Sequence, residues 1–395
     1  MNNFEFCSPT DFVFGKGVAT QVGPKLKALG ATCVMVQYGG GSVVRNGILE
    51  TVTKSLDEAG LKYIVKGGVR ANPEVTFVRE AIVEAREAGV DFLFAVGGGS
   101  VMDSCKATAA GLCHDGDVWD LFVKKDGAPV YPIDECLPVG MVLTIPAAGS
   151  EGSDSMVITN EELGMKSGRG AEALRSKVSF MDPTYTFTLS PEQTAAGITD
   201  MFAHLLERFF SETGNVPITD NLNLSIMKTI RACAPRVLEN PEDYEARANI
   251  MWAATLAHNG LAGMGRAGDW ACHAIEHELS AIDASIPHGA GLAVIFPAWM
   301  QYVYKENPER FVLYGQEVFG ISRTDDVEAD ARRAIEATQL FFISLGMPAR
   351  LADFNIHEED IEGMIPTLIA NKGEIFGSFK KIGADDARAI YRIAL

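Results

Sequence analysis

Residues 91–111 read DFLFAVGGGSVMDSCKATAAG, a strand, a tight turn and a helix in direct succession. The first six residues form the short apolar run that is typical of a strand buried on both faces. Gly97, Gly98, Gly99 and Ser100 form the turn. Glycines allow backbone N–H groups to approach a phosphate closely, and the start of a helix favours negative charge. The stretch therefore predicts a phosphate-binding turn, with a tight turn of structural use alone as the alternative.

The same alternation of strand and helix recurs on both sides of this stretch. Apolar runs rich in β-branched residues, separated by helical periodicity, occur at residues 31–38, 61–65 and 139–145. Such alternation predicts a parallel, doubly wound sheet. From about Ser190 onward only helical periodicity is found. We therefore predict an α/β dinucleotide-binding domain over residues 1–187 and an all-helical C-terminal domain over residues 188–395.

The composition excludes several classes of partner. The 395 residues are 47% hydrophobic and carry a net charge of -18, which is typical of a globular protein that does not bind nucleic acid. No apolar stretch approaches the roughly 20 residues of a membrane span. The seven cysteines include no C-x-x-C pair, so reduced thiols are expected. With no recognisable leader sequence, we predict a cytoplasmic protein without membrane partners.

A second glycine cluster bears on the choice of coenzyme. It follows the first long strand and consists of Gly39, Gly40, Gly41 and Ser42. In dinucleotide-binding folds this position often carries an acid that binds the ribose 2′-hydroxyl of NAD. An acid would repel a 2′-phosphate, whereas free N–H groups and a hydroxyl would accept one. The cluster favours NADP(H) over NAD(H), and a flexible loop is the alternative.

The helical half contains a pattern typical of a metal site. Asp200 and His204 are four residues apart, as are His273 and His277, so each pair lies on one face of a helix. His288 follows after a break. A carboxylate with neutral imidazoles suits a borderline divalent ion such as iron(II), zinc, manganese or nickel. Single histidines are more often structural, and we interpret His114, His258 and His357 that way.

These pieces together resemble the iron-containing (group III) alcohol dehydrogenase family, especially its NADPH-linked butanol dehydrogenase or aldehyde reductase branch. The resemblance covers essentially the whole chain, and the histidine cluster is its most specific part. The other motifs that carry it are Phe14-Gly15-Lys16-Gly17, Asn72-Pro73, GGGS-x-x-D at residues 97–103, Thr144-Ile145-Pro146 and the C-terminal KKIGADDARAIYRIAL. The resemblance implies a dehydroquinate synthase-like architecture, small alcohol or aldehyde substrates and a homodimer.

The resemblance also implies roles for individual residues. The metal ligands would be Asp200, His204, His273 and His288, with iron(II) as the expected ion and zinc or another divalent ion as alternatives. His277 would be the catalytic residue, acting as a proton-relay or substrate-positioning group. The expected cofactor contacts are Gly40, Gly41, Ser42, Gly97, Gly98, Gly99, Ser100, Asp103, Thr144, Ser153, Lys166 and Tyr185.

The sequence leaves four functions to compare. The leading hypothesis is a metal-dependent oxidoreductase that transfers a hydride between NADP(H) and a short- or medium-chain primary alcohol or aldehyde. An NAD(H)-linked polyol dehydrogenase, of the glycerol or propanediol type, is the alternative on the same fold. Dehydroquinate synthase chemistry is disfavoured, because residues 269–288 contain no Lys or Arg for a phosphorylated substrate. A binding scaffold without catalysis is disfavoured by the intact set of ligands.

Overall fold

A six-stranded parallel sheet organises the first of two units, Cys7–Leu189, in the computed structural model, which describes residues 1–125 and 128–395. Two short antiparallel pairs accompany the sheet. The strands are β1 (Asp11–Phe14), β2 (Cys33–Tyr38), β3 (Lys62–Gly67), β4 (Phe92–Gly97), β5 (Lys124–Lys125), β6 (Ala128–Pro129), β7 (Val139–Leu143), β8 (Ser155–Asn160), β9 (Met165–Gly170) and β10 (Val178–Met181). The central strands β4 and β7 are buried along their whole length, as the apolar runs predict.

The order of the strands indicates the edge at which the predicted dinucleotide would bind. Across the sheet the order is β1-β10-β7-β4-β2-β3, and all neighbours are parallel. From β2 the chain moves outward to β3, and from β4 it moves the opposite way to β7. The strand order therefore reverses between β2 and β4. In open α/β sheets, ligands bind at the carboxyl ends of the strands beside such a reversal.

The helices of this unit connect its strands. They are α1 (Val22–Ala28), α2 (Ser42–Arg45), α3 (Ile48–Ala59), α4 (Val75–Ala88) and α5 (Gly99–Leu112). Short 3₁₀ turns lie at Val18–Gln21, Val118–Phe122, Glu172–Leu174 and Pro183–Thr186. Helix α5 follows β4 directly, so the GGGS turn joins a central strand to a largely buried helix.

The second unit consists of Ser190–Leu395 together with Met1–Phe6, and its regular elements are helical. They are α6 (Pro191–Phe209), α7 (Pro217–Glu239), α8 (Tyr244–His258), α9 (Ala271–Ile282), α10 (His288–Val303), α11 (Pro308–Tyr314), α12 (Val327–Ser344), α13 (Glu358–Lys372) and α14 (Ala384–Ala394). Shorter turns lie at Leu261–Gly263, Tyr304–Glu306, Gly315–Phe319 and Leu351–Phe354. Among the described residues, no helix is both long enough and apolar enough to span a membrane.

Two helices form the centre of this unit. Every residue of α6 from Ile198 to Phe209 is buried, and so is most of α10. A helix that is buried on all sides needs apolar residues around its whole circumference. The polar exceptions on these two helices therefore require partners inside the protein, and they include the residues of the candidate metal site.

The predicted fold class is confirmed: a parallel α/β unit is followed by a helical one. The four predicted strands correspond to β2, β3, β4 and β7. Sequence analysis did not find β1 and β10, which have only four residues each and lie at one side of the sheet. The chain divides after Leu189, and Met1–Phe6 belong to the helical unit, where the Asn2 N–H donates to the Gly265 carbonyl at 3.0 Å.

A buried cluster of charges stabilises the helical unit and generates a prediction. Asp220 accepts hydrogen bonds from Arg266 at 2.7 Å and from both terminal nitrogens of Arg310 at 2.7 Å. Replacing Asp220 by Ala leaves the buried guanidinium of Arg266 and the partly buried guanidinium of Arg310 without their carboxylate. We expect this to lower the free energy of unfolding by about 3–5 kcal/mol. Thermal unfolding of the purified variant measures the change.

Glu317 provides the control for this prediction. It pairs with Lys228 at 2.6 Å, and both side chains are close to half exposed. Glu317→Ala should change stability by less than about 1 kcal/mol, because solvent screens the pair. Equal losses in the two variants would contradict the role assigned to the buried cluster.

Candidate metal centre and cofactor loops

Helix α6 places Asp200 and His204 one turn apart. Its start is fixed by a capping box: the Gln193 N–H donates to the Ser190 hydroxyl at 3.1 Å, and the Ser190 N–H donates to the Gln193 side chain at 3.3 Å. Pro191 follows at the first helical position, where its missing N–H costs nothing. Both Asp200 and His204 are buried.

Helices α9 and α10 supply His273 and His288 from their first turns. Gly289 explains how the start of α10 comes so close to α6. A Cβ on Gly289 would lie 2.0 Å from the carbonyl oxygen of Ala196, which is far inside contact distance. The glycine is needed for this close approach, and the approach brings His288 next to Asp200.

Three imidazoles converge on one carboxylate oxygen. The Nε2 atoms of His204, His273 and His288 lie 3.7, 3.8 and 3.8 Å from Oδ1 of Asp200. Asp200, His204 and His273 form one compact group of donor atoms. The structure thus brings together all four residues that the sequence predicts as metal ligands.

The donor atoms fit a divalent cation. Asp200 Oδ1 and His273 Nε2 are buried, and in the described part of the chain neither has a hydrogen-bond partner. Ligands placed about 2.1 Å from a common ion are roughly 3.4 Å apart in a tetrahedral arrangement, close to the separations seen here. A buried polar atom without a partner is costly, so these atoms indicate a cation among them.

The charges of the protein's own residues also indicate a cation at this site. Burial opposes a charge on His273, but the carboxylates of Asp200 and Glu207 outweigh burial and raise the pKa of His273 to about 9. Burial, reinforced by the neighbouring His258, holds the pKa of His204 well below its usual range. The cluster therefore attracts positive charge on its carboxylate side, while His204 stays a neutral donor.

His277, the predicted catalytic residue, lies beside this group. Its ring centroid is 5.5 Å from that of His288, and it belongs to a second group of donor atoms with Glu276 and His288. His277 is half-buried on α9, one turn after His273. This position is compatible with a group that exchanges a proton near the metal, and the catalytic role stays a prediction.

Sequence analysis missed two buried glutamates. Glu207 accepts a hydrogen bond from His273 Nδ1 at 2.9 Å, and Glu276 contacts His288 Nδ1. Both side chains are fully buried. Each glutamate follows a histidine by three residues within an apolar helix, and an acid in such a setting is a usable signal. His258, interpreted as structural, has its ring centroid 4.2 Å from that of His204.

The predicted cofactor residues of the α/β unit gather largely at one edge of the sheet. Gly40, Gly41 and Ser42 follow β2, the GGGS turn closes β4, Thr144 follows β7, and Tyr185 follows β10. The strands are parallel, so these positions share the carboxyl edge. The N–H of Thr144 donates to the carbonyl of Gly97 at 3.0 Å, which ties two of the loops together. Tyr185 is half-buried, and burial raises the pKa of its hydroxyl to about 12.

The GGGS turn fits an anionic cofactor group. Helix α5 begins at Gly99, and no described side chain caps its first N–H groups. The start of such a helix favours a negatively charged group. A Cβ on Gly98 would lie 3.1 Å from Ile145, and a Cβ on Gly99 would lie 3.0 Å from Ala148. The glycines thus allow this turn to pack directly against the segment that follows β7.

Asp103, Lys106 and Ser153 form a buried network beneath these loops. Asp103 accepts hydrogen bonds from the Ser150 hydroxyl at 2.7 Å and the Val157 N–H at 2.9 Å. Lys106 donates to the carbonyls of Ser150, Ser153 and Ser155 at 2.7, 2.9 and 2.8 Å. Both Asp103 oxygens therefore hold the loop and the β8–β9 hairpin, and a direct contact of Asp103 with cofactor stays a prediction. Lys166 is buried on β9, close enough to Asp103 to stabilise its charge.

Comparison with known proteins identifies the family. A model of the iron-containing alcohol dehydrogenases matches residues 9–183, and a model of the C-terminal part of the Fe-containing alcohol dehydrogenases matches residues 194–395. The chain is 40% identical to NADH-dependent butanol dehydrogenase A of Clostridium acetobutylicum over 99% of both chains. It is 35% identical to NADPH-dependent aldehyde reductase YqhD of Escherichia coli over the full length of both.

A solved structure agrees with these relatives. The crystal structure of NADH-dependent butanol dehydrogenase A from Thermotoga maritima matches with a TM-score of 0.95 and 40% identity, over 100% of this chain and 99% of that one. The fold and these relatives together define an oxidoreductase of alcohols and aldehydes, of a family that uses a nicotinamide cofactor and a divalent metal. The chain belongs to the iron-containing alcohol dehydrogenase family, as the sequence predicts, and acts on alcohols and aldehydes.

The buried network generates a prediction about Lys106. Burial, opposed by Asp103, lowers the pKa of Lys106 to about 8, and its ammonium group satisfies three buried carbonyls. Lys106→Met removes these bonds and the positive charge that does most to stabilise the Asp103 carboxylate. We expect a loss of about 3–5 kcal/mol in the free energy of unfolding. Chemical denaturation of wild type and variant measures it, and a loss below about 1 kcal/mol would contradict the role assigned to Lys106.

Proposed function

We propose that this protein is an NADP(H)-dependent, divalent metal-dependent alcohol dehydrogenase that acts mainly as a reductase of short- and medium-chain aldehydes. The observation that supports this most directly is the convergence of three imidazole nitrogens on Asp200 Oδ1. The metal in this proposal is iron(II), with zinc or another divalent ion as the alternative, because a mixed O/N set binds several borderline ions.

The roles of the residues follow from their positions. Asp200, His204, His273 and His288 would hold the ion. The bound ion would act as a Lewis acid on the substrate oxygen, and the nicotinamide would carry the hydride. His277, next to His288, would exchange the substrate proton with solvent. The burial of Asp200 and His273 keeps water away from the donor atoms, which strengthens every charge interaction there.

The preference for NADP(H) rests on the loop after β2. Residues 38–49 contain no acid that would repel a 2′-phosphate. A Cβ on Gly41 would lie 2.7 Å from a terminal nitrogen of Arg45, so the guanidinium group lies directly beside the glycines. An arginine at this position is a known way to accommodate the 2′-phosphate.

The alternative is an NAD(H)-linked dehydrogenase, including one acting on polyols. The names of the butanol dehydrogenase relatives with 40% identity specify NADH, which favours this alternative for the coenzyme. The name of the aldehyde reductase relative specifies NADPH. The absence of an acid in residues 38–49 and the position of Arg45 support NADP(H).

The proposal also includes a homodimer and a location in the cytoplasm. Strand β1 lies at the edge of the sheet and pairs with β10 on one side. An exposed edge strand is a template for pairing with a second chain, which supports a homodimer. The seven cysteines are free thiols, as expected in the reducing cytoplasm.

The central experiment measures turnover after reconstitution with metal. Metal-free protein is loaded with iron(II) or zinc, and NADPH oxidation with butanal is followed by absorbance. We expect activity that depends on the added ion and is higher with NADPH than with NADH. Absence of turnover with either coenzyme and every tested ion would refute the proposed function.

His277→Ala is the matched variant for this experiment. Because His277 lies outside the Asp200 group, the variant should retain the ion while its kcat falls by about 10²–10⁴-fold. Metal content measured in parallel separates a loss of chemistry from a loss of the ion. Activity equal to wild type would remove His277 from the mechanism.

Gly40→Asp tests the coenzyme preference. Gly40 has no heavy atom within 4 Å of an added Cβ, so a side chain fits there without a clash. A carboxylate near the 2′-phosphate should reduce kcat/KM with NADPH about 10- to 100-fold and affect NADH much less. Gly40→Asn, with the same shape and no charge, is the control and should change the ratio little. An unchanged ratio of NADPH to NADH in Gly40→Asp would argue against recognition of the 2′-phosphate at this loop.

A further inference from the structure

A repeated spacing links the metal-bearing helices. His204 and Glu207 on α6 are three residues apart, and so are His273 and Glu276 on α9. Neither glutamate pairs with the histidine of its own helix in the contacts described above. Glu207 of α6 binds His273 of α9, and Glu276 of α9 contacts His288 of α10. Each helix therefore offers a donor atom to the ion and a carboxylate to the next imidazole along the chain.

Glu207 fixes both the start of α9 and the ring that it carries. One oxygen accepts from the Nδ1 and the backbone N–H of His273, at 2.9 and 3.1 Å. The other accepts from the N–H of Trp270 at 2.7 Å. Trp270 has a φ of 67°, in the left-handed region, and its own side chain does not cap the helix. The carboxylate thus takes the place of a cap, where the helix dipole favours negative charge.

Glu276 occupies a space that a glycine provides. A Cβ on Gly291, one turn into α10, would lie 2.7 Å from both the Cγ and an oxygen of Glu276. The hydroxyl of Ser280 donates to that same oxygen at 2.8 Å, and the second oxygen contacts His288. The side chain is fully buried, and both of its oxygens have partners on the two helices that it joins, α9 and α10.

From these contacts we propose that Glu207 and Glu276 are positioning residues for the metal site, each of which holds one imidazole so that its Nε2 faces the ion. A carboxylate on Nδ1 keeps the proton on that nitrogen, directs the lone pair of Nε2 toward the metal and makes the ring a stronger donor. The inference rests on the proposed metal site. It places two further carboxylates behind the imidazoles, in addition to the proposed ligand Asp200.

His204 shows by contrast what these carboxylates contribute. Its Nδ1 is buried and has no hydrogen-bond partner among the described residues. Ring contacts hold it instead, with His273 at 4.7 Å and an interplanar angle of 19°, and with His258 at 4.2 Å. Two of the three imidazoles are therefore strengthened by charge, and the third is positioned by packing alone.

The experiment measures metal affinity without turnover. Metal-free wild type, Glu207→Gln and Glu276→Gln are titrated with cobalt(II) and with zinc against a chromophoric chelator. The cobalt absorption band reports the coordination geometry. Each variant keeps the size of the side chain but loses the charge. We expect affinity to fall about 10- to 100-fold in both, with a changed cobalt spectrum.

Two further variants test what causes the expected loss of metal affinity. Glu278→Gln removes an equally buried charge from the same helix, outside both groups of donor atoms, and should change affinity less than about twofold. Gly291→Ala leaves all charges in place but fills the space of Glu276, and should weaken binding as Glu276→Gln does. If Glu207→Gln fails to fold because Trp270 loses its acceptor, Glu276→Gln and Gly291→Ala decide the question.

The outcomes separate this inference from the function on which it rests. Wild-type affinity and an unchanged spectrum in Glu276→Gln would overturn the positioning role while the metal site stands. An equal loss in Glu278→Gln would also overturn it, because any buried charge would then suffice. Failure of the wild type to bind either ion would refute the metal site itself, and the inference with it.

Discussion

The arrangement that the helical unit depends on is one carboxylate oxygen facing three imidazole nitrogens in a buried space. The carboxylate charge repels the lone pairs of the imidazole nitrogens unless a cation lies between them. The surrounding features serve this convergence: the capping box that fixes α6, the glycine that lets α10 touch α6, and the buried acids behind two of the rings. The two central helices are therefore held by a polar site as well as by their apolar packing.

Much of this could be predicted from spacing alone. A period of about four residues placed Asp200 with His204 on one helical face, and the structure has both on α6. Largely apolar runs at residues 31–38 and 91–96 predicted the strands β2 and β4, because a strand buried on both faces needs few polar positions. The glycine turn was recognisable because it lies between such a strand and a helix. Local periodicity carries this information, so the sequence displays it directly.

Contacts between distant segments could not be predicted in the same way. Glu207 shares a helix with His204 but binds His273, and no spacing within α6 indicates a partner on α9. Asp103 fitted a phosphate-loop motif, yet both its oxygens hold the protein's own loop and hairpin. Strands β1 and β10 were too short for their pattern to stand out, and their pairing is defined only by the folded sheet. In each case the deciding partner lies far away in sequence.

The two glycine-rich loops at the carboxyl edge of the sheet differ in how freely they can change over evolutionary time. The loop around the GGGS turn rests on an interior lysine and aspartate, so most substitutions beneath it disturb several bonds at once. Gly40, Gly41 and Ser42 are exposed and lie outside that network. A lineage can therefore exchange residues in this second loop with little structural penalty. If this loop carries the coenzyme preference as proposed, its freedom to change would account for relatives of one fold that are named for NADH in some cases and for NADPH in another.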